Sequence, residues 1–362
     1  MKKSIFKMAF IFFLIPLVSF GNDKTNPTKQ SKTKTIKKEY SVNSDATVKI
    51  KNKYGAIKIT TWNKNRVEIT VEITVKGNNQ DAIEKRLRGI DVEFNATSDM
   101  VSARTIIEKR SRSWSFWGKN KNSSYQINYF IKMPVTNNAD LDNDYGSIEL
   151  SELDGTADIN CDYGKITIGK LNNNNNTINL DYCSRSTVNY MKSGTIDVDY
   201  SKLTVDKTTT VKVNSDYSTL NFGTLNDITF NSDYGSITVD NAENITGNTD
   251  YVSVRLGRIT KNVNLKADYG SIRINEMAKG FESVDITGRY ASIKIGTSTN
   301  NTFDFTLDLS YAGFRYNKSN VDLRKSIEKS SKKHYEGTYG KGNSSSKITI
   351  KSSYGSVSLT EL

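Results

Sequence analysis

The heptapeptide Asp233-Tyr234-Gly235-Ser236-Ile237-Thr238-Val239 constrains the fold more than any other stretch, because close copies of it recur along most of the chain. The tyrosines of these copies are Tyr145, Tyr163, Tyr182, Tyr200, Tyr217, Tyr234, Tyr251 and Tyr269, at steps of 18, 19, 18, 17, 17, 17 and 18 residues. Tyr290 and Tyr311 follow at steps of 21, with outlying copies at Tyr54 and Tyr354. A unit this short cannot hold a helical hairpin. It suits one coil of a chain that winds strand upon strand.

The apolar residues keep one register within each unit. Around Tyr234 they are Ile228, Phe230, Ile237 and Val239, and other units agree with Val211, Val213, Leu220 and Phe222, or Val263, Leu265, Ile272 and Ile274. Each unit thus holds two alternating strands whose phase slips by one residue between them, which places a corner at the tyrosine. The reading is that Tyr and the following Ile both point inward, so that stacked coils build an internal aromatic ladder about 4.8 Å per rung. The residue after tyrosine is often Gly but Cys183, Ser201, Ser218, Val252, Ala291 or Ala312 elsewhere, so this corner position does not require positive φ.

These patterns predict an all-β chain, a single-stranded parallel β-helix or β-solenoid of ~17–21-residue coils with a β-rich N-terminal cap, right-handed by the rule for parallel connections. Composition agrees: 3 Pro and 36% hydrophobic residues, with abundant Thr, Ser, Asn and Tyr, suit strands and polar turns. Residues 1–21 read as a signal peptide, with Lys2, Lys3 and Lys7 before an apolar core and Ser19-Phe20-Gly21 at its end. An exported protein is expected, in the periplasm, at the cell surface or outside the cell. Residues 22–39 carry one apolar residue, Ile36, and read as a flexible linker. Residues 40–135 form the β-rich cap, with Asp81 to Arg88 as a short amphipathic helix that turns Ile83 and Leu87 to one side. The coils proper occupy 136–317, a polar loop excursion 318–345, and 346–362 returns as a terminal coil that seals the apolar end. Cys161 and Cys183 fall at different unit positions, which favours two thiols over a disulfide.

The early Tyr54-Gly-Ala-Ile57 unit, the segment ending Ile131-Lys-Met-Pro-Val135, the serial Asp-Tyr-Gly-Ser-Ile units and the final Ser353-Tyr-Gly-Ser-Val357 resemble the bacterial putative-adhesin β-solenoid family, related to head-GIN adhesin domains. The resemblance covers essentially the whole mature chain. It implies a non-enzymatic structural or adhesive element of the cell envelope and brings no catalytic residues with it.

Three features carry chemistry. The first is the row Asp144, Asp162, Asp181, Asp199, Asp216, Asp233, Asp250 and Asp268 before the tyrosines, which would either accept corner N–H groups as Asx turns or bridge calcium. The turn role is the expectation, and no cofactor or metal is assigned. The second is the segment Lys109 to Lys121, where Arg110, Arg112, Lys119 and Lys121 surround Trp114, Phe116 and Trp117. Exposed aromatics beside cations suit an anionic polysaccharide or a membrane surface, whereas the ordinary reading is a hairpin tip folded back on the cap. The third is net charge, +12 and still +9 after the leader, which favours anionic partners; scattered cations and export argue against nucleic acid. Lys165, Arg255, Arg273 and Lys294 are expected outward on one face. The alternative from another class is a carbohydrate-active β-helix enzyme, a lyase or hydrolase, but His334, the sole histidine, lies in the polar excursion without an obvious nucleophile partner. Oligomeric state is left open.

Overall fold

The computed structural model describes residues 30–108 and 123–362. The chain divides into two compact units, 1–155 and 156–362. Among the described residues the elements are strands apart from one helix of nine residues, and neither unit closes into a barrel.

The first unit runs β1 (Gln30–Ser41), β2 (Thr47–Lys53), β3 (Ile57–Trp62), β4 (Arg66–Gly77), α1 (Gln80–Arg88), β5 (Ile90–Ala96), β6 (Met100–Ile107), β7 (Ser124–Pro134), β8 (Asn138–Asp144) and β9 (Ser147–Leu153). Strand β3 lies between β7 and β9, and β2 between β6 and β8, all parallel. Beyond β7 the pairing turns antiparallel, through β4 to β1, and β5 closes antiparallel on β6. Asn79 caps α1 by accepting from the N–H of Ala82 at 2.9 Å, and Ile83 and Leu87 are buried as the spacing requires.

Part of the expected linker is β1. Its backbone pairs with β4 over all twelve residues, which needs no apolar side chains. Lys32 and Lys34 reach Glu84 and Asp91 at 2.9 and 3.0 Å. Composition reports what a segment can bury, not what its main chain can pair with.

In the second unit, strands one repeat apart pair parallel and in register. One column runs Cys161, Leu180, Val198, Ser215, Ser232; another runs Val263, Val284, Ile348, Phe305. The residues assigned inward around Tyr234 are buried, Ile228 and Phe230 on one side of the corner and Ile237 and Val239 on the other. Two expectations change at the C-terminal end. Lys347–Ser353 pairs with Ser283–Arg289 on one side and Phe303–Ser310 on the other, so the last repeat inserts between two earlier ones instead of sealing the end. The polar excursion is an antiparallel hairpin, Val321–Lys329 with Lys332–Tyr339, whose second strand pairs with Phe303–Ser310. Its outer strand, exposed at most positions and rich in charge, suits an edge that must not recruit further strands.

Candidate functional site

All twelve repeat tyrosines have positive φ; in the second unit the values run from 48 to 56°. A left-handed residue between two extended strands reverses the side-chain alternation, so the inward positions are those two before and one after the tyrosine. Asp and Tyr between them both face out. The expected internal ladder is therefore external: Tyr163 through Tyr354 are 44–62% exposed. The inward slot belongs to the next residue, and Cys183, Ser218, Val252 and Ala291 are buried there. That following residue is not itself left-handed, as the sequence indicated.

For a bulky side chain this conformation costs on the order of 1–2 kcal/mol. The offsetting terms lie between repeats. Ten rings, in the order Tyr163, Tyr182, Tyr200, Tyr217, Tyr234, Tyr251, Tyr269, Tyr290, Tyr354, Tyr311, stack with centroids 4.8–4.9 Å apart and planes within 8°. Each pair contributes about 0.5–1.5 kcal/mol. The tyrosine N–H donates to the next repeat's carbonyl, for example Tyr217 to Asp233 at 2.9 Å and Tyr200 to Asp216 at 3.0 Å. Ring faces are thus filled by neighbouring rings. Hydroxyls and edges are what the ladder offers to solvent, and burial followed by the adjacent phenols holds Tyr200 and Tyr234 above the ordinary phenol range.

The same main-chain bonds correct the role expected of the aspartates. The corner amide is closed by a carbonyl, so the carboxylate is not the staple. Asp199 accepts from the N–H of Asp216 in the adjacent repeat at 3.2 Å, and Asp268 takes Nε of Arg289 at 2.9 Å. Among the described residues no three His, Cys, Asp or Glu side chains converge to hold a metal.

A second column runs beside the ladder. Arg255, Arg273, Lys294, Ser358 and Arg315 occupy one register position on successive strands, each four residues past its tyrosine. The four cations are exposed and have no ion pair among the described residues. Lys165, two past its tyrosine, lies outside this column. Beside the last rungs of the ladder lies an open groove of about 590 Å³, lined by Tyr290, Tyr311, Tyr354, Ala291, Ser292 and Ser356 among others. Arg110, Arg112, Trp114, Phe116, Trp117, Lys119 and Lys121 lie outside the described residues.

Two other reactive groups are accounted for. Cys161 and Cys183 are free, buried thiols; Cys183 Sγ donates to the Cys161 carbonyl at 3.0 Å, as the Ser218 hydroxyl does to Val198 at 2.9 Å, and the neighbouring thiol and burial push Cys161 up. His334 is held through Nδ1 by Asp308 and through Nε2 by Glu336, both at 2.7 Å, and these bonds raise its pKa, Asp308 first. A histidine so held is a charged brace for the hairpin. Its contribution is complete below the unfolded value near 6.5 and disappears as pH rises through the higher folded value. The melting temperature of the wild type should therefore fall on the alkaline side of pH 6.5, and His334→Gln should flatten that decline; parallel curves would exclude the brace.

The chain matches no family model and no curated protein. Among solved structures it is similar to a "putative cell adhesion protein" from Clostridium sporogenes, at 9% identity, covering 91% of this chain and 100% of that one, with a TM-score of 0.20. A "putative adhesin" from Parabacteroides merdae matches at 12% identity, 90% and 96% coverage and a TM-score of 0.27. A "putative lipid binding protein" from Parabacteroides distasonis matches at 8% identity, 90% and 96% coverage and a TM-score of 0.26. Proteins described as adhesins are thus among the structural neighbours, in line with the resemblance of the sequence.

Proposed function

We propose that this chain is an exported, non-enzymatic β-solenoid that serves as an adhesive or structural element of the bacterial cell envelope and holds an anionic glycan along its second unit. The observation that carries the reading is the cation column Arg255, Arg273, Lys294 and Arg315 running in register with the tyrosine ladder. Like charges on adjacent strands about 4.8 Å apart, as Arg255, Arg273 and Lys294 are, repel by somewhat under ~1 kcal/mol per pair in water. Here no carboxylate partner relieves them among the described residues, so an anionic polymer lying along the column gains what the free protein lacks. Phenol hydroxyls of the ladder supply hydrogen bonds at the same spacing. The solenoid assignment is supported by parallel pairing every 17–21 residues and by the buried columns that follow from it.

Catalysis is the weaker reading, because His334 has both ring nitrogens taken by carboxylates and is held charged, unfit as a base. Trp114 and Trp117, with the cations around them, are proposed as a second contact for the same class of partner.

The test is binding of the full mature chain to immobilised polygalacturonate and to anionic vesicles. Arg255→Gln/Arg273→Gln/Lys294→Gln should reduce glycan binding at least tenfold and flatten its salt dependence. Tyr217→Asn/Tyr234→Asn/Tyr251→Asn, which tolerates the left-handed corner, should weaken it by a smaller factor. Trp114→Ala/Trp117→Ala reports the second contact. Undiminished binding by the cation variant would sink the proposal, and loss of vesicle binding alone would move it to membranes.

A further inference from the structure

The first unit holds a cleft that the ladder does not explain. Tyr54 is the one repeat tyrosine that is half-buried, and its surroundings say why. One face stacks on Tyr145, with centroids 5.1 Å apart and planes 9° apart. On the other side Tyr125 of β7 meets it at 5.2 Å and 76°. Three phenols thus converge where the Tyr54 corner meets the antiparallel sheet of β4 and β7. Beside them β4 and β7 add Thr74, Lys76 and Gln126, and the cleft, open to solvent, has a volume of about 460 Å³. That lies in the range of small-molecule sites.

The charge of this cleft is one-sided. Lys76 lines it and Arg86 of α1 stands over the Tyr125 ring, 4.4 Å from its centroid. Neither has an ion pair among the described residues, and no carboxylate is among the residues lining the cleft. Lys53, which lies over Tyr54 and Tyr145, is by contrast paired with Asp144 at 2.8 Å. A guanidinium held over an aromatic ring by a cation–π contact still has N–H donors for a carboxylate. The ring hydroxyls and the Gln126 amide supply donors and acceptors for a hydroxylated ligand.

We infer that this cleft binds a single acidic sugar residue, with its carboxylate between Lys76 and Arg86 and its hydroxyls toward the phenols of Tyr54, Tyr125 and Tyr145. A bare inorganic anion would leave most of the volume and all of the phenol wall unused. A flat membrane surface would not reach cations set beside a recess. The site is independent of the cation column, being on the other unit and built from different residues.

The experiment is calorimetric titration of the full mature chain with trigalacturonate, against galactotriose and inorganic phosphate. Trigalacturonate should bind at least tenfold more tightly than either control. Lys76→Gln/Arg86→Gln should remove that preference, and Lys76→Gln alone, an exposed strand residue whose change leaves α1 intact, should weaken binding several-fold. The variant Arg255→Gln/Arg273→Gln/Lys294→Gln should leave the titration unchanged. Trigalacturonate binding that survives both cleft variants would overturn the inference while leaving the column reading standing. Phosphate binding as tightly as trigalacturonate would overturn the sugar assignment, and so would cleft variants that lose only vesicle binding.

Discussion

Asn143→Leu is expected to destabilise the first unit by about 3 kcal/mol or more, although the new side chain is of similar size and more apolar. Asn143 is fully buried under the Tyr145 corner. Its Nδ2 donates to the carbonyls of Gly55 and Ser147 at 3.0 and 3.1 Å, and its Oδ1 accepts from Asn52 at 3.1 Å. Asn52 in turn donates to the Ile127 carbonyl at 3.0 Å and accepts the Thr105 hydroxyl at 3.0 Å, which meets the buried Tyr129 hydroxyl at 2.8 Å. Leucine orphans two backbone carbonyls and one amide N–H at once, each a loss of about 1–3 kcal/mol in a dry site. Asn143→Asp keeps the shape but replaces the donor by an acceptor facing two carbonyls, so it should be no milder. Urea denaturation of the full chain, followed through the near-ultraviolet tyrosine signal, gives the comparison. A loss below about 1 kcal/mol for Asn143→Leu would mean that the network is dispensable.

This network shows where the sequence stopped being legible. The alternating positions Ile228, Phe230, Ile237 and Val239 were readable because period-two burial is local. The position two before each tyrosine was not read as inward, because Asn143, Ser215 and Ser232 look like turn residues although all three are buried. The tyrosine itself was placed on the wrong face. Its apolar ring suggested burial, whereas Asp before it and Gly or Ser after it mark a turn, the signal from which a left-handed residue could have been suspected. The order of the last repeats was hidden for another reason. Sequence order and stacking order differ once Ser358 sits between Lys294 and Arg315, and that insertion sets Arg315 one strand apart from the other three cations of the column. The cleft in the first unit was invisible because Lys76, Arg86 and Tyr125 belong to three elements that only the antiparallel pairing of β4 with β7 and the packing of α1 bring together.

Gly247→Val should destabilise the second unit by about 3 kcal/mol, and shortening Phe230 should relieve most of that loss. Most repeats place an aliphatic residue four before the tyrosine: Ile178, Ile196, Val213, Leu265 and Ile286. Phe230 is larger than that slot, and its neighbour one repeat on is Gly247. A Cβ at Gly247 would lie 2.3 Å from Cε2 and Cζ of the Phe230 ring. The ring is fully buried, and in an interior packed to ordinary density it has little room to swing, so the clash must be met by backbone displacement between two repeats. Phe230→Val leaves the opposite fault, a cavity where the ring filled two slots, at about 2–4 kcal/mol. Phe230→Val/Gly247→Val restores the aliphatic column of the other repeats and should lie within about 1 kcal/mol of the wild type. The two singles and the double form a cycle whose coupling should be several kcal/mol and favourable, against the few tenths expected of independent sites. Additive losses would show that Phe230 and Gly247 do not share one slot, and that each repeat is packed on its own rather than matched in size to the next.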